Sequence, residues 1–238
     1  MSDFKTIKYL AAVFTPELTI SNSLRIANTV VDLIGHHVGH EPTILPIEQN
    51  APPEIPRILF KSSESKWSLN ISLARTDLFY QPDPFVADSG ISAEEFAAEA
   101  AIFFSAFQQT IDFRVQRLAL VSEGLSIQDD ALTYIQKRFC SEDQISRGRP
   151  FHNAERFEIH SMKKYPWENF NINSWVRTKV QNIITKDGES VPSIILLNDL
   201  NTLSLDEAKD QIFSPDEIKR FFDKISVELR KIIQLYFD

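Results

Sequence analysis

The sequence predicts an α+β protein: two tandem β-α-β-β-β-α units forming one curved, mostly antiparallel sheet with helices packed on one face. Three observations carry this. A short apolar strand pattern, a turn residue and then Leu-Ser/Thr-Ile occur twice, at Leu10–Ile20 and at Leu118–Ile127. The same signals follow each copy in the same order, and each copy closes on a long Phe-bearing helix that opens with Ser-x-x-Glu. Trp67 and Trp175 lie 108 residues apart, as do Leu10 and Leu118. The units divide as 1–112 and 113–238, the second with longer hairpins.

In the first unit, residues 7–14 read as a strand. Ser21 or Asn22 caps a helix, because a short side-chain oxygen satisfies a free backbone N–H. Leu24, Ala27, Val30, Val31 and Ile34 fall on its apolar face, and Gly35 is its expected stop. A short strand fits Thr43–Ile47 and another begins at Arg57-Ile58-Leu59-Phe60. Trp67, Leu69, Ile71 and Leu73 alternate with polar residues, which indicates a strand with one wet face. After a Pro-rich loop at 81–90, Ser92-Ala93-Glu94-Glu95 is a capping box for a helix reaching about Thr110.

The second unit opens with a strand at Phe113–Val121, which makes Leu118–Ile127 the seam between the copies. Asp129 or Asp130 caps a helix carrying Leu132, Ile135 and Phe139. A polar loop spans Ser141–Pro150, a strand spans Phe157–Met162, and Tyr165–Asn169 reads as a turn. Phe170–Ile184 is extended, Asp187-Gly188 signals a tight hairpin, and Ser193–Leu200 returns as a strand. Ser214-Pro215-Asp216-Glu217 caps the closing helix. The topology resembles the saddle of the TATA-binding protein, a likeness of arrangement alone. The rival arrangement wraps a sheet around one long helix, as in helix-grip ligand carriers.

A chain of 238 residues can bury a substantial core, and 43% apolar with 24% charged content is that of a globular protein. Eighteen Phe against six Gly favour packing over Gly-rich phosphate loops. The single Cys140 excludes an internal disulfide and Cys-rich metal sites, and fits a reducing, cytoplasmic setting. Neither a signal peptide nor a membrane span is expected, because no apolar run is long enough.

The net charge of −8 argues against general nucleic-acid binding. Residues 1–112 carry 7 basic and 14 acidic residues, whereas 137–186 carry 10 basic and 5 acidic. That basic segment interleaves aromatics with cations, and it supplies the candidate binding residues Arg147, Arg149, Lys163, Lys164, Tyr165, Trp167, Trp175 and Arg177. Three readings fit the pattern. One is a half-exposed sheet with aromatics inward and charges outward. Another is a basic face that docks on an acidic protein surface, including the first half of a second copy. The third is a stacking platform for single-stranded nucleic acid or nucleotides. Arg147-Gly148-Arg149-Pro150 is a basic loop that could clamp a phosphate or carboxylate, or simply be solvated.

His36, His37 and His40 cluster, but Gly35 and Gly39 argue against a helix that would align them, so they read as loop residues and no metal site is assigned. No cofactor fingerprint is present. Glu94/Glu95 and Asp129/Asp130 sit at helix starts, where the helix dipole explains them. Cys140 lacks a nucleophile signature, and Ser122-Glu123-Gly124 lacks that of a nucleophile elbow. No catalytic residue is assigned, and an enzyme is disfavoured without being excluded.

Three stretches carry a family resemblance: Phe113-Arg114-Val115-Gln116-Arg117-Leu118-Ala119-Leu120, Ile194–Leu200 with Asn198-Asp199, and the closing Ile232-Ile233-Gln234-Leu235-Tyr236-Phe237. The chain resembles a sporadically distributed family of uncharacterised bacterial proteins. That resemblance implies no activity, cofactor or site residue, and its distribution is compatible with mobile or defence-associated genes. The leading expectation is a non-enzymatic protein-interaction or self-associating module. The alternatives are a small-ligand binder with an apolar pocket between sheet and helices, and a nucleic-acid binder using 137–186.

Overall fold

The computed structural model describes residues 4–16, 18–48, 50–86, 90–204, 206–208 and 210–237. The strands are β1 (Lys5–Phe14), β2 (Thr43–Ile44), β3 (Ile58–Lys61), β4 (Trp67–Ile71), β5 (Arg75–Tyr80), β6 (Arg117–Ile127), β7 (Glu158–Trp167), β8 (Phe170–Ile184) and β9 (Ser190–Thr202). The helices are α1 (Ser23–Val38), α2 (Ala93–Ile111), α3 (Ala131–Phe139), α4 (Glu142–Ile145) and α5 (Pro215–Phe237). All nine strands join one antiparallel sheet in the order β2-β3-β4-β5-β1-β6-β9-β8-β7. The central pair is β1 with β6, Ala12 opposite Ala119.

Strand alternation divides the sheet into two faces. One face presents Tyr9, Ala11, Val13, Leu69, Leu78, Leu118, Leu120, Val176 and Leu200 to the helices. α2 and α5 lie along each other over it, with Phe104 and Phe222 stacked at 5.5 Å. Phe96, Phe103, Phe107 and Phe221 are also fully buried there. Each such side chain stabilises the fold by roughly 1.5–3 kcal/mol, so the Phe-rich helices supply much of the driving force. Gln108 ties the layer together: its amide donates to the carbonyls of Phe113 and Phe213 at 3.2 and 2.9 Å.

Both capping boxes form. Ser92 Oγ accepts from the Glu95 N–H at 3.1 Å, and Glu95 accepts from the Ser92 N–H at 2.7 Å. Ser214 and Glu217 repeat the arrangement at the start of α5. The hairpin joins β8 and β9 as expected, with Gly188 at φ +82.

Several local expectations are corrected. α1 passes Gly35 and runs to Val38, because Gly35 is buried in the packed layer and the stop falls at Gly39, φ +87. The first strand of the second half lies at 117–127 in place of 113–121. Ser122-Glu123-Gly124 is strand because β1 and β9 hydrogen-bond it from both sides. β5 was not anticipated, and β7 continues to Trp167, so the turn shrinks to Glu168 and Asn169. The loop 141–150 contains the short α4. The 108-residue spacing does not join equivalent positions. Trp67 packs against Phe96 of α2, whereas Trp175 projects from the opposite face; Leu118 is in the core and Leu10 is not.

Candidate functional site: the open face of the sheet

Among the described residues, every helix packed on the sheet lies over the same face; no helix covers the other, open face, although Asp77, Ala12, Ala119, Asn173 and Asn201 on it are buried. Register assigns the residues of that open face. One row runs Asn70, Asp77, Ala12, Ala119, Asn201, Asn173 and Lys164 across seven strands. The next runs Ser68, Phe79, Leu10, Val121, Asp199, Trp175 and Met162. Beyond it, Lys8, Glu123, Leu197, Arg177 and His160 lie abreast, and on the other side Arg75, Phe14 and Arg117 do.

Aromatic rings on this face carry cations. Arg177 lies 4.7 Å from the Trp175 ring, Lys8 lies 5.5 Å from Phe79, and Arg117 and Arg75 lie 4.9 and 5.9 Å from Phe14. Each contact is worth about 0.5–1 kcal/mol in an exposed setting, which holds the cation in place without neutralising it. Hydrogen bonds order the centre. Arg117 donates to Asn201 Oδ1 at 2.6 Å, and Asn201 donates to Asp199 Oδ1 at 2.8 Å. Burial lowers the pKa of Arg117, a shift opposed by Asp199 and Glu207.

The face also carries unmet polar demand. Asp77 Oδ1, Asn173 Oδ1 and Arg117 Nε are buried without a hydrogen-bond partner among the described residues. A buried polar atom left unpaired costs about 1–3 kcal/mol, so bonds from water or a docked group would be favourable here. Burial pushes the Asp77 carboxyl up to about 6, against the attraction of Arg75 and Lys8. A cavity of about 230 Å³ lined by Glu123, His160, Arg177, Lys179, Ile195 and Leu197 opens on the same face.

The eight candidate residues are split. Trp175, Arg177 and Lys164 stand on the open face, the last ion-paired with Glu207. Lys163, Tyr165 and Trp167 turn to the helix side. Tyr165 donates to Glu228 of α5 at 2.8 Å, Lys163 lies 5.3 Å from the Tyr165 ring, and Trp167 meets Phe221 edge-on at 6.2 Å. Burial and Glu228 both raise the Tyr165 pKa. Arg147 and Arg149 lie in the exposed connection after α4, where Arg149 pairs with Asp143 at 2.8 Å. Sequence reasoning missed Phe14, Arg75, Asp77, Phe79, Arg117, Asp199 and Asn201. The alternation of Arg75-Thr76-Asp77-Leu78-Phe79-Tyr80 was the available signal.

Burial raises the Cys140 thiol pKa, which disfavours the thiolate a nucleophile needs. His36, His37 and Glu99 form the group able to hold a metal among the described residues. No helix of the described residues is long and apolar enough to cross a membrane. Comparison with protein-family models, curated proteins and solved structures returns no match.

Proposed function

We propose that the chain is a non-catalytic protein-interaction module that self-associates, with the open sheet face as its contact surface. The observation that carries this is the placement of Trp175, Phe79 and Phe14, each under a cation, on a face that no helix covers. Large aromatics and arginines anchor protein interfaces because they bury much area at small entropic cost. The complementary surface is the acidic part of a second copy's first half that lies off this face, residues 1–112 holding 14 acidic and 7 basic residues. Electrostatic attraction of this kind weakens with salt. Light scattering at about 0.05 M salt should show a mass above that of the monomer, falling toward it at about 0.5 M. A strictly monomeric chain at both ionic strengths, up to high micromolar concentration, counts against the reading.

We further read the architecture as a duplicated unit bent into a saddle. Support comes from the strand order, in which β5 and β9 flank the central β1 and β6, β4 and β8 come next, and each half ends in a long Phe-bearing helix. A place in the sporadically distributed bacterial family is part of the same proposal and adds no activity to it.

A second reading is a small-ligand binder. It is favoured by a mostly apolar pocket of about 280 Å³ between the sheet and α5, lined by Phe4, Tyr9, Leu196, Leu229 and Ile233 together with polar groups including Arg230 and Gln234. A thermal-shift screen with small apolar and amphipathic compounds tests it, and the absence of any saturable hit sinks it. Within 137–186, single-strand binding finds one ring–cation pair on the open face, Trp175 with Arg177, while Tyr165 and Trp167 lie on the other face.

A further inference from the structure

At the C-terminal end of α1, on the helix side of the sheet, a cleft of about 460 Å³ is lined by residues including His36, His37, His40, Trp67 and Tyr80. Continuation of the helix past Gly35 places His36 and His37 on its last turn. Opposite them stands Glu99 of α2, with its Oε2 3.4 Å from His37 Nε2. One donor atom from each of His36, His37 and Glu99 lies within 4.8 Å of the others. We propose that these three side chains bind a divalent transition-metal ion of the Zn²⁺ or Co²⁺ class, clamping the end of α1 to α2.

Four observations support the assignment. Two imidazoles and a carboxylate are a donor set for Zn²⁺, and tetrahedral bonds of about 2.0–2.1 Å set donors roughly 3.3 Å apart. The His37–Glu99 separation already meets that spacing, and exposed His36 has room to close on it. His37 Nε2 is buried and makes no hydrogen bond among the described residues, its contact with Glu99 at 3.4 Å being an ion pair only when the ring is protonated. The His37 ring is held flat on Trp67 at 4.3 Å, which fixes the direction of its nitrogens before any ion arrives. The last carbonyls of α1 add negative potential at the same end, favouring a cation there.

Three protein donors leave a fourth position for water or a bound molecule. His40 lines the same cleft, its ring packed on Gly35, where a Cβ would come within 3.0 Å of His40 Nδ1 and Cε1, but its nitrogens lie outside the donor group. Zn²⁺ sites with three protein ligands and one open position are the pattern of sites that act on a bound molecule, whereas four protein ligands make a structural clamp.

The test uses the untagged, chelator-treated chain, titrated with Co²⁺ and then with Zn²⁺. The expected result is one Co²⁺ per chain with tetrahedral visible absorption, displaced by Zn²⁺. Glu99→Gln and His37→Ala should each weaken Zn²⁺ by more than the roughly 10–100-fold that loss of an outer-shell partner costs. His152→Ala, a histidine in the connection between α4 and β7, should bind as the unchanged chain does. If circular dichroism shows that a buried-site variant has lost its fold, exposed His36→Asn decides: undiminished affinity overturns the site. Failure of the unchanged chain to bind either ion at micromolar concentration, or equal binding by Glu99→Gln, also overturns it. None of these outcomes depends on self-association through the open face.

Discussion

Replacing Asp77 by Asn should make the fold more stable near neutral pH. The carboxylate is buried on the open face, and Oδ1 has no hydrogen-bond partner among the described residues. Burial raises its pKa from 3.8 to about 6, even with Arg75 Nε 2.9 Å from Oδ2 and Lys8 nearby. A carboxyl whose folded pKa exceeds its unfolded one binds its proton more tightly in the fold. Its stabilising contribution is complete below about pH 4 and is lost as pH rises through about 6. A gap of about two units corresponds to about 3 kcal/mol, already net of the Arg75 and Lys8 attraction. Asn has no charge to desolvate, so Asp77→Asn should gain up to about 3 kcal/mol at about pH 7.5 and almost nothing at about pH 4. Urea denaturation of both proteins at the two pH values measures this. A variant no more stable at the higher pH, or a gain of the same size at both, refutes the reasoning. The expected gain would mark Asp77 as a residue kept at the expense of stability, as binding surfaces often hold.

Other outcomes follow from the helix side. Phe104→Ala, which empties the stack on Phe222, should cost about 3–5 kcal/mol in chemical denaturation. Gln108→Ala strands the Phe113 and Phe213 carbonyls and should cost about 1–3 kcal/mol for the buried groups left unpaired. Ser92→Ala removes one half of a capping box and should cost about 1 kcal/mol, with the loss confined to stability. In each case an unchanged denaturation midpoint contradicts the assigned contact.

What the sequence made legible was local. Ser92 with Glu95, and Ser214 with Glu217, are read correctly because a cap depends on residues three apart. The alternation of Trp67–Ile71 and the Asp187-Gly188 hairpin are local in the same sense. Gly35 misled because its intrinsic preference to end a helix yields to burial against Val31 and the His40 ring. Gly124 misled because pairing with both β1 and β9 overrides its weak strand propensity. The binding face was only partly legible for a different reason. Alternation shows that Ser174 and Trp175 of β8 lie on opposite faces, but which face meets the helices is fixed by register across distant strands. Phe14, Asp77, Arg117 and Asn201 come from four strands that the chain visits far apart, so no window of sequence contains them. The His36–His37–Glu99 group has the same origin, since Glu99 arrives from α2 only when the helices pack.

The central claim, that the open face is the surface through which copies of the chain associate, rests on Trp175 and Arg177 more than on any other pair. Sedimentation of the unchanged chain beside the double variant Trp175→Ala, Arg177→Glu, at about 0.05 M salt, tests it most directly. Removing an aromatic anchor and reversing its cation should shift the variant to monomer at concentrations where the unchanged chain is associated, with the same far-UV spectrum. Identical sedimentation of the two proteins, whether both associated or both monomeric, would contradict the claim.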